Sequence, residues 1–496
     1  MKKKENLYIT TPIYYTNDNP HIGHSYTNVI ADVLARFKRL DEYNVYFTTG
    51  GDEHGKKIEY SAKKKNITLY SFINIKINKF VNLIKYNYIS INKFIRTSNI
   101  IHKKITNKIW EILKEKKSIY LGKYKGWYSI REETYYSELD IINNKVILCE
   151  NIEWIKENTY FFKLNKCSKK ILKIYKSNND FIKPYYIKNE VIKLITSGLK
   201  DLSISRSNFN WGIKIKNSSI HVMYVWFEAL ISYISGIQFK KINFWPPKIT
   251  IIGKDILRFH SIYLPALLIT LEYSLPKTIL VHGWLLNKGV KISKSFKNNI
   301  NPYKTIKKFG SDYLRYYFIK ETNIGKDSSF SHKILTKHIN NDLVNKIGNY
   351  IYRTMSIVFK TFYQVIPIPK IYYGIDNIIL LYTYVIFHII NFLLKRYKLK
   401  YIINIILRLV NKINIFINIK TPWKQKDFNR LGTILYILIE NIRVITILLQ
   451  PIIPFYTNKV FFYFRINKKY LKHINIRYSI KTNNIFKPII IFCKIL

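Results

Sequence analysis

The stretch Leu7-Tyr8-Ile9-Thr10-Thr11-Pro12-Ile13-Tyr14-Tyr15-Thr16-Asn17-Asp18-Asn19-Pro20-His21-Ile22-Gly23-His24 decides how this chain folds. Leu7 to Thr10 reads as a buried strand and Pro12 to Asn19 as a loop. After His21, the apolar residues Val29, Ile30, Val33, Leu34 and Phe37 recur at helical spacing. A second strand, Val45 to Thr49, then runs into Gly50-Gly51-Asp52-Glu53-His54-Gly55. Strand, helix and strand in this order open a parallel sheet, with nucleotide-sized crevices at the strand ends.

Working outward, residues 119–164 change to short Tyr- and Trp-rich strand candidates with turns, as in Tyr120-Leu121-Gly122-Lys123 and Gly126-Trp127-Tyr128. The strand and helix alternation returns with Ile249 to Gly253, a helix through Ile256, Phe259 and Leu267, and a strand from Thr278 to Val281. Past Ser331 helical patterns take over, with Ile339, Leu343, Ile347 and Ile351 on one face. The expected fold class is α/β: a Rossmann-type parallel sheet split by an insertion, followed by an α-helical bundle. The expected units are 1–115 (first half of the sheet domain), 116–215 (insertion), 216–330 (second half) and 331–496 (bundle).

At 496 residues the chain is longer than one hydrophobic core usually supports. Its 82 Lys and Arg against 30 Asp and Glu leave a formal charge of +52, which would suit a polyanionic partner. The residues in excess, Lys, Asn, Ile and Tyr, are also those written by A/T-rich codons, so codon bias is an equal explanation and charge alone selects no function. Cys149, Cys167 and Cys493 form no Cys-X-X-Cys pair, which excludes a disulfide framework and a four-thiolate zinc site. Lys2 to Lys4 are followed by Glu5, Asn6 and Pro12 with no apolar leader segment, so a cytoplasmic protein is expected. The uncharged run from Asn377 to Leu394 is interrupted by Thr383, His388 and Asn391 and reads as a bundle helix, with no membrane partner expected.

Two short basic motifs carry the chemistry. His21-Ile22-Gly23-His24 falls where a strand turns into a helix, and Lys291-Ile292-Ser293-Lys294-Ser295 falls on a Gly-flanked loop. A helix N-terminus presents unpaired N–H groups to an anion; Gly23 admits a nucleotide close to the backbone, and His21 and His24 can donate to phosphate oxygens. The same four residues would also serve as a plain helix cap. Lys291 and Lys294, with the Ser293 and Ser295 hydroxyls, suit a mobile cationic loop that closes over a leaving pyrophosphate.

This pair of motifs is the signature of class I aminoacyl-tRNA synthetases. The chain resembles the methionyl-tRNA synthetase family over nearly its whole length, on Thr11 to Asn17, Gly51 to Gly55, Tyr224-Val225-Trp226-Phe227-Glu228-Ala229-Leu230, Gly253 to His260 and His282-Gly283-Trp284. The resemblance implies methionine activation by ATP, with His21, His24, Lys291 and Lys294 catalytic and Gly23, Ser293 and Ser295 completing the ATP site. It implies a methionine pocket of Ile13, Tyr15, Trp226, Leu230, Tyr233, Ile256, Phe259 and His260, with Asp52 on the ammonium. Aromatic edges suit a polarizable thioether, and a Tyr hydroxyl or His nitrogen can reach its sulfur. It further implies that Asn349, Arg353 and Trp423 read the anticodon of tRNA(Met). Asn349 and Arg353 stand four apart off the apolar stripe and Trp423 follows Pro422 at a helix break; a bundle-core tryptophan is the competing reading.

The chain departs from the family's pattern at Trp127 to Thr134, where many members carry Cys-X-X-Cys pairs, so no structural zinc or other protein-held metal is expected. Magnesium is expected with the nucleotide. Ile292 stands where the family usually has Met, a tolerable apolar swap. With no appended RNA-binding domain, a monomer is expected. Relatives specific for leucine, isoleucine or valine carry a large editing insertion, for which this one is too short, and the cysteine enzyme needs zinc ligands that are missing here. A small-molecule nucleotidyltransferase would leave the helical third without purpose, and a tRNA-binding pseudoenzyme would leave the motifs without purpose.

Overall fold

The computed structural model describes residues 4–129, 134–136, 152–216, 218, 220–237, 239–287, 289–292, 299–467, 469–475, 477, 479–481 and 483–495. Its strands, in chain order, are β1 (Asn6–Tyr15), β2 (Asn44–Asp52), β3 (Lys93–Arg96), β4 (Ile119–Ser129), β5 (Thr134–Tyr136), β6 (Ile152–Phe162), β7 (Ile182–Lys183), β8 (Leu202–Ser203), β9 (Ser205–Arg206), β10 (Val222–Met223), β11 (Ile249–Gly253), β12 (Thr278–His282), β13 (Leu285–Asn287), β14 (Val290–Lys291) and β15 (Ser328–Ser329). Six of them form a parallel sheet in the order β3-β2-β1-β11-β12-β7. Strand order reverses between β1 and β11, so a crevice opens there beyond the carboxyl ends.

β1 is longer than its sequence suggests. Pro12 marks a loop by its missing N–H, yet the strand continues to Tyr15, because a register shift between Thr10 and Ile13 absorbs the irregularity. Ile13, Tyr14 and Tyr15 then pair with Gly50, Gly51 and Asp52. A Cβ on Gly50 would come within 2.4 Å of the Ile95 carbonyl oxygen, so glycine is what lets β2 and β3 close up here.

Residues 116–215 divide among three sheets, β9 pairing with β10 in a small one of its own. β4 and β6 form a long antiparallel hairpin in the sheet β5-β4-β6-β8, whereas β7 returns to the edge of the main sheet beside β12. Two strand residues, Ile182 and Lys183, are too few to show a period in sequence. Cys149 and Ile130 to Glu133 lie outside the described residues.

The region after Ser331 opens with the helix His332–His338, continues as a π-helical segment Ile339–Gly348 and returns to α-helix in Asn349–Thr361. Ile339, Leu343, Ile347 and Ile351 are all buried. On an ideal α-helix each step of four residues overshoots a full turn by about 40°. The wider i→i+5 turns absorb that drift and keep a strict spacing of four facing inward. Long helices Gly374–Lys395, Leu399–Lys420 and Phe428–Leu449 follow, each long and apolar enough by length and composition to cross a membrane. They pack on one another, and Phe428–Leu449 is almost wholly enclosed by protein. Beyond the helix Pro454–Tyr463 the described residues form no helix longer than the turn Leu471–His473; Asn-rich sequence and Pro488 break the apolar spacing.

Candidate active site

The helix Ile22–Leu40 starts at the mouth of the crevice. His21 Nδ1 accepts from the Gly23 N–H at 3.1 Å, and His24 Nδ1 accepts from the His21 N–H at 3.0 Å, a capping box built from two imidazoles. With Nδ1 accepting, a neutral ring carries its proton on Nε2, so each cap also fixes a distal N–H donor. The rings lie 3.8 Å apart, and His24 is held edge-on to Tyr14 and Phe80. A Cβ on Gly23 would sit 2.9 Å from the His21 ring, so glycine is needed by the cap itself as well as by any approaching ligand.

The second motif reaches the first through the backbone. Lys291 ends the β13–β14 hairpin, whose turn uses Gly289 at φ +79°. Ile292 is buried and donates its N–H to the Leu285 carbonyl. At the far end of the loop, the Ile300 carbonyl accepts from the Ile22 N–H at 3.1 Å, one residue from His21. Ser293, Lys294 and Ser295 lie outside the described residues, between those two anchors.

Beside the crevice, strand register places Ile13 opposite Gly50 and Tyr15 opposite Asp52. Asp52 is buried, and its carbonyl accepts from both the N–H and the hydroxyl of Thr16. Tyr15, Trp226, Ile256 and Phe259 pack against the core that contains Leu230 and Tyr233. Trp226 stacks on Phe259 at 3.8 Å and 12°, and His260 meets both Trp226 and Tyr233 edge-on. His260 Nδ1 lies 2.9 Å from the Ile256 carbonyl and Nε2 lies 2.6 Å from the Tyr233 oxygen. Burial pushes the His260 ring down to about 4, so it is neutral: Nδ1–H donates to Ile256 and Nε2 accepts from Tyr233. The hydroxyl and the imidazole thus spend their protons on each other and the backbone, and the pocket meets an apolar group with aromatic faces and edges.

Several groups at the crevice, some of them inside the resembling stretches, received no role from sequence reasoning. Lys254 lies over the Trp284 ring at 3.7 Å and pairs with Asp327 at 2.6 Å, while Trp284 Nε1 donates to Asp255. His282 Nε2 lies 2.9 Å from Thr27 Oγ1, tying the end of β12 to the first helix. Their signal was position, directly after the predicted strands β11 and β12. In the helical arm, Asn349 and Arg353 are exposed, and the Arg353 guanidinium lies 4.7 Å from the centre of the Trp423 ring. Trp423 is 49% exposed, which removes the core reading.

A switch-point crevice, a histidine-capped helix at its mouth, a cationic loop and an adjoining aromatic pocket define a nucleotide-binding α/β enzyme with a helical arm. The family profile for tRNA synthetases class I (M) matches residues 7–141 and 136–355. The chain is 42% identical to the methionine–tRNA ligase of Rickettsia bellii (strain RML369-C), over 98% of each chain. It is 38% identical to that of Thermotoga maritima, over 92% of this chain and 74% of that one. The structure of Mycobacterium tuberculosis methionyl-tRNA synthetase in complex with methionyl-adenylate superposes with a TM-score of 0.94 at 32% identity, covering 98% of this chain and 99% of that chain. The chain therefore belongs to the methionine branch of the class I tRNA synthetases.

Proposed function

We infer that this chain is a methionine–tRNA ligase. It activates methionine with ATP and passes the methionyl group to the 3′ end of tRNA(Met), supplying translation initiation and elongation. The methionine carboxylate attacks the α-phosphorus and pyrophosphate leaves; a terminal ribose hydroxyl of tRNA then attacks the methionyl carbonyl and AMP leaves. No protein nucleophile is required, so positioning and charge stabilisation carry both steps. Supporting the reading is the placement of Tyr15 and Asp52 as partners at the carboxyl ends of β1 and β2, with Tyr15 on the same core as the stacked Trp226 and Phe259, in a chain aligned over 98% of its length with a methionine–tRNA ligase.

In this reading His21, His24, Lys291 and Lys294 stabilise phosphate charge, with Gly23, Ser293 and Ser295 completing the nucleotide site. Asp52 holds the ammonium; Ile13, Tyr15, Trp226, Leu230, Tyr233, Ile256, Phe259 and His260 enclose the side chain. Asn349, Arg353 and Trp423 meet the anticodon, and residues 1–115 with 216–330, 116–215 and 331–496 act as catalytic, connective and anticodon-binding units. Magnesium enters on the nucleotide, held through its phosphates. The cysteines offer no zinc set. A cytoplasmic monomer is the working form. ATP–pyrophosphate exchange with each of the twenty amino acids tests the reading: methionine alone should support exchange, and exchange with another amino acid or with none overturns it.

A further inference from the structure

The helix Val225–Ser235 presents two functional faces. Trp226, Leu230 and Tyr233, spaced four and three apart, share the face toward Phe259 and His260. Glu228 lies about 200° away round the helix. Its carboxyl is buried, with oxygens 2.8 and 2.9 Å from His54 Nδ1. Ser235, seven residues on, lies 2.7 Å from His102 Nδ1, and His102 Nε2 is 3.9 Å from Glu228. The helix has no side-chain cap at its N-terminus, so contacts of this kind fix its rotation.

His54 comes two residues after Asp52. Its segment is pinned on the other side: Arg96 bonds Glu53 at 2.7 Å, the Glu53 N–H donates to Thr97, and Trp211 Nε1 donates to the Glu53 carbonyl. A rigid chain of contacts therefore runs from Asp52 through His54 and Glu228 to the pocket face of the helix. Burial pushes His54 and His102 each down to about 3 and raises Glu228 well above the ordinary carboxyl range. Burial thus favours the neutral form of all three, with the Glu228 carboxyl in hydrogen-bond contact with His54. A charged pair here would compete with Asp52 for an ammonium or repel it; a neutral one leaves that field to Asp52.

We propose that Glu228 and His54 are positioning residues for amino-acid recognition: their contact sets the spacing between Asp52 and the Trp226, Leu230 and Tyr233 face, and with it the length of side chain accepted. The inference rests on the assignment of Asp52 and those three residues to methionine.

The test is pyrophosphate exchange with methionine, homocysteine and ethionine. Glu228→Ala and His54→Ala should each raise the methionine KM about tenfold or more and narrow the preference for methionine over ethionine, with the ATP KM within about twofold. Glu228→Gln, which donates an amide N–H to His54 Nδ1, and His54→Asn, whose amide occupies the place of Nδ1, should retain methionine KM and preference. Should an alanine variant not fold, the double replacement His54→Leu/Glu228→Leu removes both polar groups without orphaning either and should show the same KM split. Unchanged methionine KM, or equal losses toward methionine and ATP, overturns the proposal. Asp52→Asn and Trp226→Ala are the controls: if neither raises the methionine KM, the pocket assignment falls and the proposal with it; if both do and Glu228→Ala does not, the proposal alone falls.

Discussion

The Arg315 guanidinium lies 2.8 Å from the Asp32 carboxylate, and neither side chain reaches solvent. Arg315 also donates to the carbonyls of Asn87, Pro451 and Ile452, while Asp32 accepts from Ser90 and Arg36. One pair thus joins the helix that carries the His21 cap to the foot of the helical arm. Arg315→Met would take the buried counter-charge from Asp32 and its donors from three carbonyls, and should cost about 3–5 kcal/mol in urea denaturation. Asp32→Asn/Arg315→Met should recover part of that. Burial pushes Asp32 up, but Arg315 and Arg36 outweigh it and hold the carboxyl below its ordinary range. The pair's contribution is accordingly present at neutral pH and lost only as pH falls below about 3.9 toward the folded value.

Asp312, three residues earlier, has the opposite sign. Burial raises it to about 6 despite the Tyr456 N–H and Arg315, and its Oδ1 has no partner among the described residues. A carboxyl raised in the fold stabilises it below the unfolded value and loses that contribution as pH rises through about 6. Asp312→Asn should therefore raise stability at pH 8 by about 1–2 kcal/mol, with the gain gone by about pH 4. Thermal melts across that range check it.

Sequence period and punctuation made the sheet and the helical arm legible, because both depend on local apolar spacing. Ile182 and Lys183 in β7 were not, since two residues carry no period, and Pro12 hid the end of β1 because a register shift is a property of two strands. The nucleotide and pocket residues proposed above come from the resemblance, which gives no sign of the mutual use of Tyr233 and His260. A hydroxyl that reads as a donor to sulfur is already donating to an imidazole 27 residues away. Glu228 and His54 read as ordinary motif neighbours, and only the fold shows them in contact across 174 residues.

The cap made by His21 and its proposed phosphate role can be separated. His21→Asn keeps an acceptor for the Gly23 N–H and should preserve stability, yet it lacks the distal N–H and should lower methionine-dependent exchange by about 10²–10³. His21→Gln places an N–H near the distal position and loses the cap, so it should retain more exchange and melt lower, by about 1 kcal/mol. Near-normal exchange in His21→Asn would assign His21 to the cap alone.

Lys294 is expected to act only on the phosphates. Lys294→Ala should depress exchange by about 10²-fold or more while leaving the melting curve unchanged. Near-normal exchange would remove the role given to the loop.

The proposed tRNA-facing role of the arm rests on Trp423, half exposed with Arg353 over one face of its ring. The guanidinium orients the indole and leaves a second face for a base, and a base stacked there contributes about 1–3 kcal/mol. Trp423→Ala should therefore reduce aminoacylation about 5- to 150-fold at low tRNA concentration while methionine-dependent exchange, which needs no tRNA, stays within about twofold. Arg353→Leu should weaken aminoacylation in the same way, with a shallower salt dependence, since a cation facing the RNA is removed. Parallel loss of exchange and aminoacylation in Trp423→Ala would mean that the indole supports the bundle and does not read a base.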